Sequence, residues 1–285
     1  MSLDAALRAR VAELARPVAA LLEVLCIAER PLTQEVASLA CKLEGAAFVD
    51  ACAVLRVARL CRTDGSRPTD SIGPYHDRVT EALTATLPEA RQVEIHDALT
   101  AAFERTGGDA RAIVRHAQAA NQPERAARNA LLAAEKARET MAFDRAAEFY
   151  RTAIALGQYD GQAHRELHYK LACSLASAGR GPEAAETFEL LCRGADPAMR
   201  RDCQRQAAEQ WLITGRIDRG LGTINLALEE IGEPRLLTPI RALSALLWRR
   251  TFLGLRGLRW DASSQGLRRH RTGHASRCSL RRLLA

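Results

Sequence analysis

The 285-residue chain has no apolar run approaching the ~18 residues that a membrane-spanning helix needs. Arg8 and Arg10 stand near the start with no continuous apolar stretch behind them, which argues against a secretory signal. Aromatic residues make up only 5%, too few for a β-sandwich, whose strands draw on aromatic and β-branched side chains. No two of the eight cysteines stand in a C-x-x-C pair, so neither a zinc ribbon nor a thioredoxin-type site is supported. Most of them sit among apolar residues at helical spacing, as small hydrophobes in a reducing cytoplasm would. Lysine is confined to Lys42, Lys136 and Lys170 against 38 arginines, a skew that reads as codon bias of a GC-rich genome.

The motifs of nucleotide chemistry are also missing. A P-loop needs a Gly-Lys pair beside the phosphates, and none occurs. A protein kinase needs V-A-I-K, H-R-D and D-F-G; His76-Asp77-Arg78 has the letters of the second in another order. There is no G-x-S-x-G elbow and no H-E-x-x-H. Gly179-Arg180-Gly181-Pro182-Glu183-Ala184 fits G-x-G-x-x-A, but a helical pattern precedes it where a dinucleotide site needs a strand, so it reads as a turn. His164 and His168 share a helix face at i, i+4, yet no third metal ligand accompanies them, so we read them as surface or groove histidines. The sequence thus names no catalytic residue, no metal site and no cofactor.

What the chain does have is alanine, 53 residues of it, within a composition that is 47% apolar. That favours closely packed helices. The net charge of +7 is unevenly placed: residues 249–285 hold ten arginines and one acid, Asp261, so residues 1–248 sum to −2. The body is not a nucleic-acid surface; only the arginine-rich tail could bind acidic polymers, and then by charge alone.

Periodicity predicts helices over about 4–15, 17–28, 34–42 and 46–57, with Pro17 opening the second and Thr33 capping the third. Val57–Arg62 then reads as extended, Asp64-Gly65 as a turn, and Pro68–Tyr75 as a returning strand. Three short helices and a two-stranded wing outline a winged helix over residues 1–87. Its third helix, Ala46 to Leu55, offers Asp50 and no donor to base edges, unlike a DNA-reading helix.

From 76 onward helices are expected at about 76–86, 88–105, 109–120, 123–140, 143–156, 162–178, 182–193, 197–213, 217–231 and 238–256. A repeat runs through them. Ala146, Tyr150 and Ala153 recur as Ala184, Phe188 and Leu191, then as Gly220, Ile224 and Ala227. Leu171-Ala172 with Leu175 recur as Ala207-Ala208 with Trp211, and Gly179 as Gly215. Small–large–small spacing lets two helices approach while the large residue fills the gap to the next layer. The expected fold is therefore mainly α: a small winged-helix domain followed, over 88–256, by a tetratricopeptide-like solenoid of helical hairpins. Residues 257–285 carry no periodicity and read as a disordered basic tail.

Several strings in this order also carry a family resemblance. They are Tyr75-His76-Asp77-Arg78-Val79-Thr80-Glu81-Ala82-Leu83, Leu87-Pro88 with Arg91, Ile95-His96 and Leu99, Ile113-Val114-Arg115-His116, and Phe143 with Ala146-Ala147 and Tyr150. Together with Pro239 to Arg259 they resemble the region behind the nucleotide-binding module of bacterial STAND proteins (signal-transduction ATPases with numerous domains). The likeness is greatest to large Ser/Thr protein kinases built with such a module and tetratricopeptide repeats. It implies the regulatory C-terminal half of such a protein, either split off from its kinase and P-loop modules or truncated, and a tail either read out of frame or serving as a basic arm. It also implies that His76, at the end of the wing, could sense a nucleotide phosphate in trans while Asp77 holds the local geometry. The functional expectation is a non-catalytic protein-interaction module binding protein partners, a kinase or NTPase module among them. Candidate groove residues are His164, His168, Tyr169, Gln204 and Trp211. The rival readings are a winged-helix transcription regulator with a DNA-binding tail, and a fragment of a Ser/Thr kinase parent.

Overall fold

The computed structural model describes residues 10–11, 13–232, 247–248 and 250–252. The first expected helix and the one at 238–256 thus lie for the most part outside the described residues, and the 257–285 tail entirely so. What is described is mainly helical, with one small sheet. The chain divides into two compact units, Met1–Ala133 with Thr152–Gln158, and Ala134–Arg151 with Tyr159–Ala285. The boundary expected at 87/88 falls inside the first unit.

The first unit is organised around α1 (Arg16–Ile27), which begins at Arg16-Pro17 and is buried almost all round through Val18, Leu21, Leu22, Val24, Leu25, Cys26 and Ile27. Against it pack α2 (Gln34–Cys41), α3 (Gly45–Val57), α4 (Asp77–Thr84) and α5 (Glu89–Thr106). Thr33 caps α2, accepting from the Val36 N–H at 3.2 Å, as its position suggested. Leu32 and Thr33 also form a two-residue strand, β1, which propensity alone does not reveal. With β2 (Cys61–Thr63) and β3 (Ser71–Pro74) it makes an antiparallel sheet in the order β1-β3-β2, Leu32 opposite Ile72 and Cys61 opposite Pro74.

The extended segment expected from Val57 starts later. Helix α3 runs through Val57, and the chain leaves it only where Arg59 takes a left-handed φ of 54° and the Leu60 N–H reaches back to the Leu55 carbonyl. The loop between β2 and β3 is tied to α2: the Gln34 and Glu35 N–H groups donate to the Asp70 and Pro68 carbonyls, and Gln34 Nε2 donates to the Gly65 carbonyl at 2.8 Å. These bonds satisfy amide groups that the first turn of a helix otherwise leaves unpaired. A Cβ at Gly65 would lie 2.1 Å from Asp70 Oδ2, so a larger residue there would displace the Asp70 carboxylate from the Arg67 N–H it accepts.

Helix α5 belongs to this unit because Ile95, Leu99 and Ala102 share one core with α1, and Arg91 Nε donates to Glu23 at 2.9 Å. Helix α6 (Ala110–Ala119) packs on α5 through two histidines. His96 Nδ1 and His116 Nδ1 are 2.9 Å apart, and His116 stacks on Phe103 at 5.8 Å between ring centroids. One Nδ1 must donate and the other accept, which requires at least one neutral ring; burial, which lowers both, keeps the pair uncharged near neutral pH. Arg115 lies 3.4 Å from His116 Nε2, donates to the Ala28 carbonyl at 3.2 Å and pairs with Glu29. Burial first, then Arg115 and His96, pushes His116 down to about 3; burial also lowers His96, against the pull of Glu29.

The unfolded chain takes up protons on these rings near 6.5, whereas the folded unit resists. Their contribution is intact above that value and is lost as pH falls below it, by about 1.4 kcal/mol per pH unit and ring at most. Urea midpoints measured between pH 7 and 5 should therefore fall with acid. The His116→Gln variant, whatever its absolute stability, should show the shallower decline.

Candidate functional site

In the second unit the helices alternate as hairpins. The last turns of α7 (Pro123–Glu139) lead into α8 (Phe143–Leu156); α9 (Gly161–Ser177) pairs with α10 (Gly181–Leu191), and α11 (Pro197–Ile213) with α12 (Ile217–Glu230). The three hairpins turn in the same way. Met141, Gly179 and Gly215 take left-handed φ of 58°, 77° and 78°. The next N–H, of Ala142, Arg180 and Arg216, reaches back to the Ala137, Leu175 and Trp211 carbonyls at 2.8, 2.9 and 2.8 Å. That bond closes a Schellman turn.

Five residues past each left-handed position comes a small residue, Ala146, Ala184 or Gly220, whose N–H starts the second helix from the Ala142, Arg180 or Arg216 carbonyl. Ala146 and Ala184 are fully buried. At Gly220 a Cβ would lie 2.7 Å from Leu212 Cγ and 3.3 Å from the Ala208 carbonyl oxygen, so α12 sits hard against α11. Tyr150, Phe188 and Ile224, four residues further on, are buried as the large members of the pattern.

Polar contacts span each step between hairpins on both sides. Among the first helices, Lys170 Nζ pairs with Glu135 at 2.8 Å and the Tyr169 hydroxyl donates to Asp202 at 2.8 Å. Among the second helices, Arg151 pairs with Glu183 and Arg219 with Glu186 at 3.5 Å. The Tyr169 hydroxyl is thereby held by Asp202, and its ring meets Phe188 edge-on at 5.7 Å. Burial and the Asp202 carboxylate keep this phenol protonated, well above its ordinary range.

Two expected groove residues prove to be interior. Trp211 is 0% exposed, its indole N–H donates to Glu189 Oε1 at 2.6 Å, and the Arg219 guanidinium lies 4.3 Å from the ring centroid. It fills the space that Leu175 fills one hairpin earlier. Gln204 is buried and donates to Glu230 at 3.2 Å. Both are corrected to core positions. His164 and His168 do share a face, with ring centroids 4.2 Å apart and His168 Nδ1 3.0 Å from the His164 carbonyl. His164 is exposed and His168 half-buried. Of the five expected residues, these two present their rings outward; Tyr169 is half-committed to Asp202.

In the first unit His76 is exposed at the start of α4, edge-on to Tyr75, and its side chain makes no capping bond. Among the described residues no group of three or more His, Cys, Asp or Glu could hold a metal ion, and no helix is long and apolar enough to cross a membrane. Cys26, Cys41 and Cys61 are pushed up to about 12, chiefly by burial, which leaves their thiols protonated and unreactive near neutral pH. Cys278 lies outside the described residues. No protein-family model, curated protein or solved structure matches the chain.

The composition of α3 reads as that of a helix packed against protein, yet Val49 and Val57 on its outer side stand open to solvent. The signal was available: apolar residues recur on both sides of that helix, and a two-layer domain can bury only one of them.

Two stability measurements test the hairpin register. Met141 occupies with a side chain the left-handed conformation that glycine occupies at 179 and 215, and its side chain is exposed. Met141→Gly should therefore stabilise by about 1 kcal/mol, while Gly179→Ala or Gly215→Ala should cost about the same. Phe188→Ala should cost about 3–5 kcal/mol by denaturant unfolding.

Proposed function

We propose that this chain is a non-catalytic regulatory module that acts by binding other proteins. In this reading residues of the first unit form a winged helix, and the second unit is a tetratricopeptide-like stack. The observation that carries the reading is the recurrence of one turn at Met141, Gly179 and Gly215, each followed five residues later by the small residue that lets the hairpin close. Repeats of this kind build extended faces for another polypeptide rather than a cavity for a small molecule. The disposition of polar groups supports the same conclusion. The charged side chains between hairpins pair with one another, so they do not converge on a reacting centre.

The partner class follows from the STAND-like strings: a kinase or NTPase module supplied on another chain. On this reading His76, exposed at the start of α4, would donate an N–H to a phosphate oxygen that such a module presents. DNA readout is the weaker reading, because the outward side of α3 offers valines and Asp50 where base-reading donors are needed.

The purified 285-residue chain should neither hydrolyse ATP or GTP with magnesium nor transfer phosphate to itself or to a generic protein substrate. Turnover above the buffer rate, carried through repurification, would end this account.

A further inference from the structure

Helix α3 is apolar on two sides and covered on one. Its inner side, Phe48, Ala51, Cys52 and Leu55, lies in the core of the first unit. Its outer side carries Ala46, Val49, Asp50, Ala53 and Val57 at i, i+3, i+4, i+7 and i+11, with Val54 beside them. Val49 is 63% and Val57 86% exposed. A surface helix ordinarily sets polar residues opposite its buried face, and a run of exposed branched residues marks a contact surface.

Positive charge gathers at one end of this stripe, while Glu44 at the N-cap and Asp50 lie toward the other. Arg56 and Arg59 follow at its C-terminal end and Arg62 lies on the adjoining strand β2; all three are exposed. Three arginines of the unit are held in ion pairs, Arg91 by Glu23 and Glu94, Arg115 by Glu29, Arg125 by Asp97 and Glu104, while others such as Arg30, Arg78 and Arg105 are exposed singly away from this face. Arg56, Arg59 and Arg62 make no ion pair among the described residues.

We infer that the outer side of α3 is a docking face for an amphipathic helix of a partner protein, one with an apolar ridge and a carboxylate-bearing end. The apolar stripe would take the ridge, and the three arginines would take the carboxylates. An apolar centre with a charged rim is the anatomy of a protein interface. Duplex nucleic acid fits less well, because valines fill the middle of the face and Asp50 would meet phosphates there. The α3 helix is four turns at most, so the matching partner segment is of similar length, about 20 Å. This inference rests on the reading of the chain as a protein-interaction module and gives that reading a second, separate surface.

The test uses the full chain and a fluorescently labelled 16-residue peptide of leucine, alanine and glutamate, apolar along one face and acidic at one end. Fluorescence anisotropy at physiological salt should show saturable binding. Val49→Asp with Val57→Asp, both at exposed positions, should weaken it at least tenfold. Arg56→Glu with Arg59→Glu should weaken it several-fold and flatten its salt dependence, while Ile213→Asp, on exposed surface of the second unit, should leave it unchanged. Circular dichroism would establish that each variant keeps its helices. Absence of saturable binding would overturn the inference. So would binding that survives the double valine variant, since it would then come from the arginine-rich C-terminal residues by charge alone. Tighter binding of a 20-base-pair duplex, lost in the arginine variant, would make the face a nucleic-acid surface instead. All three outcomes leave the absence of nucleotide turnover unaffected, so failure of the docking face and failure of the module reading are separable.

Discussion

The second unit depends on how closely the two helices of each hairpin approach. A left-handed residue ends the first helix, and after one N-cap residue the chain re-enters helix, with that residue's carbonyl accepting the first bond each time. That geometry fixes which side of the second helix faces the first, and it brings position five after the turn into contact. Only Ala or Gly fits: at Gly220 even one added carbon presses on Leu212 and the Ala208 carbonyl. Once the backbones are this close, the next inward position has depth to fill, and Tyr150, Phe188 and Ile224 fill it. The alanine content and the scarcity of aromatics are therefore two sides of one packing solution, with the few large rings placed where small neighbours leave room.

This packing also dictates what the polar groups do. Closely spaced helices bring charged side chains of successive hairpins within reach, and Lys170 with Glu135, Tyr169 with Asp202 and Arg219 with Glu186 are used to tie one step to the next. Exposed pairs of this kind add little stability individually. They do fix the offset between hairpins, because each partner is offered from one turn of helix. In the first unit the histidine pair has a similar part. Two neutral rings sharing one hydrogen bond, with Arg115 alongside, specify how α6 lies on α5 more narrowly than apolar contact would.

Much of the second unit was legible because its repeat is written in residue size. Ala184 and Gly220 stand 36 apart, as do Leu175 and Trp211, and the interior place of Trp211 followed from that spacing once Leu175 was placed inside. As a groove candidate Trp211 conflicts with its own place in the repeat, which makes it a buried position. Gln204 was hidden differently: an amide at a core position signals nothing until Glu230 is seen to receive it. The turn at Met141 was illegible because a non-glycine residue holds the left-handed conformation there. Pro88 interrupts the helical pattern without interrupting the core; Ile95 and Leu99 return the chain to α1. Strand β1 is two residues long and carries no periodicity at all.

Where recognition can draw its energy follows from what the packing has already consumed. Between the hairpins, carboxylates and cations are largely committed to one another, so a partner competing for them gains a contact only by breaking one. Tyr169, Gln204 and Trp211 are engaged in the same sense. The uncommitted groups lie elsewhere: the outward rings of His164 and His168 in the second unit, and in the first the exposed ring of His76, the outer valines of α3 and the arginines beside them. Burying valines costs no existing bond, and arginines without an internal partner lose only water when a carboxylate arrives. On the proposed reading, binding energy is therefore most available on α3, while the hairpin array would supply rigidity and a shape to be matched.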